Sequence, residues 1–299
     1  MKSKRLNELR EEVKKKEAKS LLIGFLITLI LFLIIKFYSV IIAGAIFSLV
    51  FSKVSTGKLR MEYSKEFKKT YVEDALKSHF DDLVYMPDKG LAESVLTSTG
   101  VIYTGDRYHS NDLIYAKYKD VNFVLSDVTI EVEEEETDSD DHTHTYYRTI
   151  FCGSWMIFDF NKQFRDNVIA TQSRAVISLR KNLFSKSSYE KVEMEDEIFN
   201  KRFIVYSDNP HEAFYILTPQ VIEKMKELDN KIDGSLYFAF INNKLYIGVD
   251  SGTDSFEAPS VYSKTTDEEI ENKLNNQISL ITMFVDTLEL DNDIFRKVV

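Results

Sequence analysis

An apolar segment from Leu21 to Phe51, in which Lys36 is the single charged residue, constrains this chain more than any other feature. As one helix it would extend about 46 Å at a rise of about 1.5 Å per residue, whereas the hydrocarbon core of a bilayer is roughly 30 Å thick. Lys36 divides the segment near its midpoint. The sequence therefore predicts a transmembrane hairpin with spans at about 20–36 and 37–53, preceded by a basic helix over residues 1–20.

Basic residues flank the apolar segment on both sides and determine its predicted orientation. Eight Lys and Arg residues precede it, and six follow it by position 69. Positive charge close to a span stays on the cytoplasmic side of a membrane. We therefore expect a multi-pass protein of the cell membrane, with both termini in the cytoplasm and only the turn near Lys36 on the outer side.

Three other interpretations of the apolar segment stay open. Ala43-Gly44-Ala45 resembles the small-residue cleavage site of a signal peptide, although glutamates lie in what would be its basic region and apolar residues continue past the site. A single tilted span would place the large domain outside the cell. A hairpin that enters one leaflet and returns is the third alternative, and it stays open because the turn contains neither Gly nor Pro.

The residues after the hairpin have the composition of a globular domain and a strongly acidic charge. Residues 1–60 contain 12 Lys and Arg against 4 Asp and Glu, and the remaining residues contain 26 against 44. Because an acidic body repels nucleic acid, we expect no nucleic-acid partner, and we take the lipid bilayer to be the partner of residues 21–53. Residues 54–299 are predicted to form a soluble domain, with a division into two subdomains near 185–195 left open.

Apolar residues follow strand and helix periodicities along the soluble domain. Alternation predicts strands on both sides of Lys119-Asp120 and of Asn242-Asn243, a pair that tolerates the positive φ of a tight hairpin. Thr218 and Pro219 have the pattern of a helix cap followed by a first-turn proline. Apolar residues spaced by three and four from Ile270 to Leu288 predict a long helix. The predicted fold class is α+β, with a helical hairpin followed by a cytoplasmic domain of mainly antiparallel sheet and flanking helices.

The basic helix at the N-terminus has only a thin apolar seam. Its members are Leu6, Leu9 and Val13. Glutamates and lysines spaced by four residues surround this seam and can form salt bridges along an exposed helix. For residues 3–19 we therefore favour a solvated lead-in to the first span over a coiled coil.

A run of acidic residues at 131–145 interrupts the strand pattern and ends in two histidines. The simplest geometry is a hairpin whose long tip is this acidic loop. His142 and His144, beside Asp140 and Asp141, are weak candidates for a Zn²⁺ or Ni²⁺ site. Histidines two residues apart in a solvated loop lack the supporting shell that holds metal ligands, so we assign no metal, and a solvated loop is the preferred interpretation.

Cys152 is the one cysteine of the chain, so no internal disulfide can form, as is usual in a reducing cytoplasm. It lies in an aromatic and apolar strand, where cysteine is usually a small core residue rather than a nucleophile. Phosphate-binding loops, dinucleotide fingerprints and nucleophile elbows are absent from the sequence. We therefore assign no catalytic residue and no cofactor.

Seven segments of the C-terminal half carry a family resemblance: Phe151–Gly153, Asp159–Lys162, Glu197–Asp208, Glu212–Pro219, Phe238–Phe240, Lys244–Ile247 and Phe256-Glu257. With these segments the chain resembles the DUF3137 family, bacterial membrane proteins of unknown function. The resemblance implies a cytoplasmic domain carried behind two N-terminal spans and extends over most of residues 20–290. It implies no activity.

Taken together, these features favour a non-enzymatic interaction or scaffold domain held at the membrane, with a protein partner or self-association. The alternative is a small-molecule or lipid-binding domain at the membrane surface, because aromatic-rich sheets can form a ligand groove. The third interpretation is an enzyme whose residues come together only in the folded chain.

Overall fold

The computed structural model describes residues 4–36, 38–137, 142–159, 165–172 and 189–290. The chain forms two compact units, each discontinuous in sequence. The first contains Met1–Ala75 and Phe256–Asn275, and the second contains Leu76–Ser255 and Asn276–Val299. The domain boundaries predicted from the sequence stay predictions.

Two long antiparallel helices dominate the first unit. Helix α1 spans Lys4–Ile35 and α2 spans Ser39–Phe67, and a π-helical turn at Lys68–Val72 connects α2 to α3 at Glu73–His79. Lys36 has a φ of 54°, a left-handed conformation that ends α1. Within the described ranges, these are two helices long and apolar enough to cross a membrane, so the predicted helical pair is confirmed.

The described residues 4–19 are helical and mostly exposed, as expected of a solvated lead-in to the first span, but that interpretation is wrong for the apolar seam. Leu6, Leu9 and Val13 are at most 2% exposed, because α1 continues without a break into this region and packs along α2. Arg10 Nε also donates a hydrogen bond of 2.6 Å to the carbonyl of Val261, in the second segment of this unit. The thin apolar seam is therefore a packing surface.

The segment 256–275 is tied to the helices of the first unit by polar contacts. Lys68 Nζ lies 2.8 Å from a carboxylate oxygen of Glu257. The hydroxyl of Tyr71 donates a hydrogen bond of 2.7 Å to Asp267. Lys68 and Tyr71 lie about four helical turns beyond Val54, where the apolar part of the second helix ends, so these contacts are well separated from it.

Within the described ranges, nine strands of the second unit form one antiparallel sheet. The order is β1-β2-β3-β4-β9-β8-β5-β7-β6. The strands are β1 (Asp81–Met86), β2 (Arg107–Tyr118), β3 (Val121–Thr137), β4 (Thr143–Asp159), β5 (Val168–Gln172), β6 (Glu190–Val192), β7 (Phe203–Ser207), β8 (Ser235–Ile241) and β9 (Lys244–Asp250). The flanking helices are α4 (Glu93–Thr99), α5 (Glu197–Arg202), α6 (Pro210–Ile216), α7 (Pro219–Lys231) and α8 (Asp267–Leu288). This arrangement confirms the predicted α+β class.

Local sequence signals account for several of these boundaries. Asn242 and Asn243 have φ values of 50° and 60° at the β8–β9 turn, as their residue types predict. The side chain of Thr218 accepts a hydrogen bond from the Val221 backbone N–H, and Pro219 occupies the first turn of α7. The hairpin turn and the capped helix predicted from the sequence are therefore both confirmed.

Aromatic side chains fill the core on both faces of the sheet. On one face Phe151, Trp155 and Tyr237 form a cluster with ring centroids 5.7 to 6.4 Å apart. On the other face Phe284 of α8 lies 6.5 Å from both Phe158 and Phe238. The long helix predicted near the C-terminus therefore packs on the sheet through its apolar stripe.

Candidate functional site

Small and hydroxyl-bearing residues line the contact between α1 and α2. In the apolar halves of the two helices, the buried residues are Ser20, Gly24, Ser48, Ser52 and Thr56. Large apolar residues point outward instead, and among them Phe25 is 61% and Ile34 is 72% exposed. A water-soluble helix pair buries its large apolar side chains. The observed distribution is the one that a surrounding of lipid favours, because small residues allow close helix approach where no hydrophobic effect drives it.

The closest part of this contact is reciprocal. Gly24 of α1 lies against Ser48 of α2, and Gly44 of α2 lies against Thr28 of α1. Each hydroxyl donates a hydrogen bond of 2.8 Å to the carbonyl four residues earlier, Thr28 to Gly24 and Ser48 to Gly44. The hydroxyls are thus satisfied within their own helices, as an apolar environment requires.

Charged residues lie where the apolar part of the α1–α2 pair ends, on the side away from the turn at Lys36. Arg60 of α2 forms an ion pair of 2.5 Å with Glu17 of α1. One turn closer to the apolar part, the hydroxyls of Ser20 and Ser55 are 2.6 Å apart. The surrounding lysines at 15, 16, 19, 53 and 58 are exposed. This ring of positive charge matches the flanks from which the sequence predicts orientation.

The β3–β4 hairpin extends beyond the rest of the sheet as a two-stranded arm. We define the acidic arm as residues 131–137 and 143–149, which pair from Glu131↔Thr149 to Thr137↔Thr143. Strand β2 pairs with β3 as far as Glu131, and β9 pairs with β4 only from Gly153 onward. A register shift after Ile130 leaves Ile150 as an extra residue at the base of the arm, where a bulge changes the direction of the strand.

Cross-strand polar contacts hold the acidic arm together. The hydroxyls of Tyr146 and Tyr147 donate to the carboxylates of Glu134 and Glu133, at 2.9 and 3.0 Å. Arg148 donates to Glu134 through Nε at 2.8 Å. A two-stranded ribbon is marginally stable alone, and such pairs contribute a few tenths to about 1 kcal/mol each.

His142 and His144 lie at the tip of the acidic arm, and both are exposed. His144 is paired across the strands with Glu136, and His142 precedes the first residue of β4. Among the described residues, no third ligating side chain joins them in a cluster of metal-binding size. Asp140 and Asp141 lie outside the described residues, so the assignment of no metal, with His142 and His144 as weak candidates only, is not tested here and stays a prediction.

Three aspartates of the second unit lie close together, a cluster that sequence reasoning missed. Asp127 of β3 is 1% exposed and accepts hydrogen bonds from the Ser154 hydroxyl at 2.8 Å and the Ser255 backbone N–H at 2.9 Å. Oxygens of Asp112 and Asp254 lie within 4.8 Å of each other. The signal was available, because Asp127 is an acidic residue between the apolar Leu125 and Val128 in the central part of β3.

A bulge in β2 brings Asp112 into this cluster. The β2–β3 register shifts between Asn111 and Ile114, and Asp112 has a φ of 53°. Its buried carboxylate accepts hydrogen bonds from the Tyr85 hydroxyl and, at 2.9 Å, from the Asn111 side chain. The left-handed conformation at Asp112, unusual for a residue other than glycine, thus accompanies an inward-facing carboxylate.

The environment of Asp127 stabilises its protonated form. Burial raises the pKa of Asp127 well above the usual range for an aspartate, and the carboxylates of Asp254 and Asp112 act in the same direction. The hydrogen bond from Ser154 opposes this shift. We therefore expect Asp127 to keep its proton at pH values where a surface aspartate has lost it.

Cys152 lies beside the same cluster and is not activated. Burial raises the pKa of its thiol, and the charges of Asp254 and Asp250 add to the effect, although a hydrogen bond from Thr129 opposes it. The nucleophile of a cysteine enzyme is the thiolate, which a positive environment favours. The surroundings of Cys152 are the opposite of that environment.

Two open hollows lie on the surface of the second unit. One of about 500 Å³ lies between α5 and α7, and one of about 300 Å³ lies over β1 to β4 and β9. The larger one is lined by Ile198, Arg202, Gln220, Glu223, Lys224, Lys226, Glu227 and Asn230. Ile198 is the one apolar residue of this lining and the others carry charged or amide groups, whereas small-molecule sites are lined mainly by hydrophobic and aromatic side chains.

Residues 149–290 match the family model described as protein of unknown function (DUF3137). The match supports the predicted resemblance to this family, over a narrower range than the predicted 20–290. No curated protein and no solved structure matches the chain. The family description assigns no chemistry, so the geometry alone must support a function.

Proposed function

We propose that this chain is a membrane-anchored, non-enzymatic interaction protein. The observation that carries the proposal is the burial pattern of α1 and α2, which encloses Gly24, Ser48 and Ser52 and exposes Phe25 and Ile34. Leaving this many large apolar side chains in water would favour aggregation, whereas lipid solvates them. The hairpin is therefore the anchor.

We further propose that both ends of the chain and its acidic domain are cytoplasmic. Positive flanks on both sides of the hairpin support this topology. The α1–α2 connection at Lys36 is then the one external segment. In this arrangement the basic ring at the base of the hairpin faces anionic lipid, which attracts such residues by about 1 kcal/mol each.

Topology is testable by cysteine accessibility, because Cys152 is the only native cysteine. In a Cys152→Ser background, single cysteines replace Lys36, at the turn, and Lys191, an exposed residue of β6. We expect a membrane-impermeant maleimide to label position 36 in intact cells and position 191 only after permeabilisation. Labelling of position 191 in intact cells would overturn the cytoplasmic placement.

The acidic arm is the feature that supports an interaction role. Its distal residues contribute little to the core of the second unit, since the side chains at 133 and 135–137 are exposed. A ribbon held out from a sheet by its own cross-strand contacts is suited to contact another molecule. We therefore assign the partner-binding surface to this arm.

Site-specific photocrosslinking tests the assignment in the full chain. A benzophenone side chain replaces Tyr146 on the arm, which is 44% exposed, or Tyr215 on α6, which is 52% exposed and serves as the control. We expect a discrete protein adduct from position 146 and none from position 215. No adduct at position 146, or equal adducts at both positions, would contradict the proposal.

A second candidate function is binding of a small polar molecule in the 500 Å³ hollow. Its cationic side chains already have carboxylate partners. Arg202 lies 3.0 Å from Asp229, and Lys226 lies 2.6 Å from Asp196. An anionic ligand would have to displace these ion pairs, so we rank this function second. Native mass spectrometry of the purified full chain should then show no retained small molecule.

A further inference from the structure

We propose that the acidic arm binds an extended, basic segment of a partner protein, which pairs as an added strand beside β3. This inference rests on the proposed function and specifies the chemistry of the partner. Two features of the arm support it, the backbone edge of β3 and the distribution of charge along that edge.

The backbone edge of β3 is open beyond Glu133. Pairing with β2 ends at Arg107↔Glu131, and the Glu133 backbone N–H donates a hydrogen bond of 2.7 Å to the side chain of Asp106. Within the described residues, the strand pairing of Val132 to Thr137 is with β4. Backbone groups alternate between the two edges of a strand, so those of Glu135 and Thr137 face the same edge as the Glu133 N–H, in the geometry that accepts a further strand.

The charge along this edge selects the partner. Residues 133–136 are four consecutive glutamates, so carboxylates project from both faces of the strand. A basic strand beside β3 would place its cationic side chains next to carboxylates on either face, and such cross-strand pairs are favourable. Tyr147 and Tyr146 orient Glu133 and Glu134, which reduces the cost of ordering them on binding. Glu134 already forms an ion pair of 2.6 Å with Arg148, so the attraction for a basic strand comes mainly from Glu133, Glu135 and Glu136.

The same charge argues against other occupants. The arm of a second copy added at this edge would place glutamate beside glutamate, an unfavourable cross-strand pair. Nucleic acid would bring phosphates to the same carboxylates. The β4 edge is the weaker template for a cationic strand, because it carries Arg148 and bends at Ile150. A basic polypeptide at the β3 edge is therefore the occupant that fits.

Charged edges also protect sheets from aggregation without binding anything. Three cases can be distinguished by experiment. A purely protective edge binds no peptide. An edge that attracts by charge alone binds basic peptides whether or not their backbone amide groups can donate hydrogen bonds. An edge that accepts an added strand binds only peptides whose backbone amide groups can donate.

The test uses the full chain in lipid nanodiscs and a fluorescent eight-residue peptide that alternates Lys or Arg with Val or Thr. We expect binding that weakens as salt is raised. Methylating the backbone nitrogens on one edge of the peptide should weaken binding by roughly tenfold or more, because added strands bind through main-chain hydrogen bonds. Equal binding of the methylated peptide, or no binding of the unmodified one, would overturn the inference.

A variant of the chain tests the charge contribution. Replacing glutamates 133–136 by glutamine should weaken peptide binding by roughly tenfold or more. The matched control replaces Glu223 and Glu227 of α7, which are exposed and lie outside the arm, and should bind as the native chain does. If the arm variant misfolds, the methylated peptide on the native chain decides the question. A crosslinked partner at position 146 without peptide binding would refute this inference and leave the proposed function standing.

Discussion

Gly24 of α1 lies so close to Ser48 of α2 that a Cβ atom at position 24 would be 2.9 Å from the Ser48 Cα. One helical turn away, Gly44 of α2 lies equally close to Thr28 of α1, so the same arrangement occurs with the roles of the two helices exchanged. Both glycines are followed four residues later by a hydroxyl residue whose side chain bonds back to the glycine carbonyl. The pair therefore depends on two glycine positions that permit close backbone approach.

Replacing Gly24 or Gly44 by alanine should destabilise the helix pair. Each new methyl group would collide with the facing helix, and overpacking of this kind costs about 1–3 kcal/mol. Gly57 is the matched control, because nothing lies within 4 Å of a Cβ placed there. Gly57→Ala should be neutral or stabilising, since alanine favours a helix over glycine by roughly 0.5–1 kcal/mol.

Thermal unfolding of the purified chain in detergent measures these three variants. The expected order of melting temperatures is Gly57→Ala at or above the native chain, with Gly24→Ala and Gly44→Ala both below it. A Gly24→Ala variant as stable as Gly57→Ala would show that the two helices can separate at this point without cost.

Exchange of charge between Glu17 and Arg60 should be tolerated better than either single reversal. The side chains are 19% and 40% exposed, and their atoms are 2.5 Å apart. Glu17→Arg places two cations together, and Arg60→Glu places two anions together, whereas the double variant restores opposite charges. We expect recovery of roughly 0.5–1 kcal/mol, the usual range for a partly exposed pair. Independent, additive losses in a double-mutant cycle would contradict the pairing.

The fold was predictable where a single local signal decides the structure. Asn242-Asn243 fixes a turn, Thr218 and Pro219 fix a helix start, and Lys36 divides the apolar segment. Each acts through backbone conformation or solvation over a few residues, and each is found in the structure as predicted.

Features that depend on contacts between distant segments were not predictable in the same way. The burial of Leu6 depends on the continuation of α1 along α2, which a short apolar seam does not reveal. Asp112 faces inward because of a bulge, and the β-strand periodicity of the sequence does not include the extra residue. The small-residue spacing of Gly24 and Thr28 was visible in the sequence, but its meaning required the facing residues on α2.

Gly248→Ala should disturb the single tryptophan of the chain. The ring of Trp155 lies over Gly248, and a Cβ there would be 2.7 Å from one ring carbon and 3.3 Å from another. The indole is fully buried beside Phe151 and Tyr237. We expect a loss of about 1–3 kcal/mol and a red shift of tryptophan emission as the ring is displaced toward water.

Gly57→Ala is the control for the fluorescence measurement, because Gly57 lies in the first unit and Trp155 in the second. It should leave the emission maximum unchanged. Native emission and stability in Gly248→Ala would mean that the sheet accommodates a methyl group under the indole, which would contradict the close contact.

Asp127→Asn should change the pH dependence of stability in a defined direction. The pKa of Asp127 is higher in the folded chain than in the unfolded chain, where it is about 3.9. The protonated side chain therefore contributes stability that is fully present below the unfolded pKa and is lost as the pH rises through the folded pKa. The slope for one proton is at most about 1.4 kcal/mol per pH unit.

The asparagine of the variant does not titrate. Its amide oxygen still accepts the hydrogen bond from the Ser154 hydroxyl, but its NH₂ group faces the Ser255 backbone N–H, so two donors meet there. This loss of stability is the same at every pH. Relative to the native chain, Asp127→Asn should therefore melt lower near pH 4.5 and gain several degrees toward pH 8. Melting curves recorded across this pH range measure the difference, and Asp233→Asn, at an exposed position, is the control. If the difference in melting temperature between Asp127→Asn and the native chain were the same at every pH, Asp127 would titrate like a surface carboxyl, which would contradict the prediction.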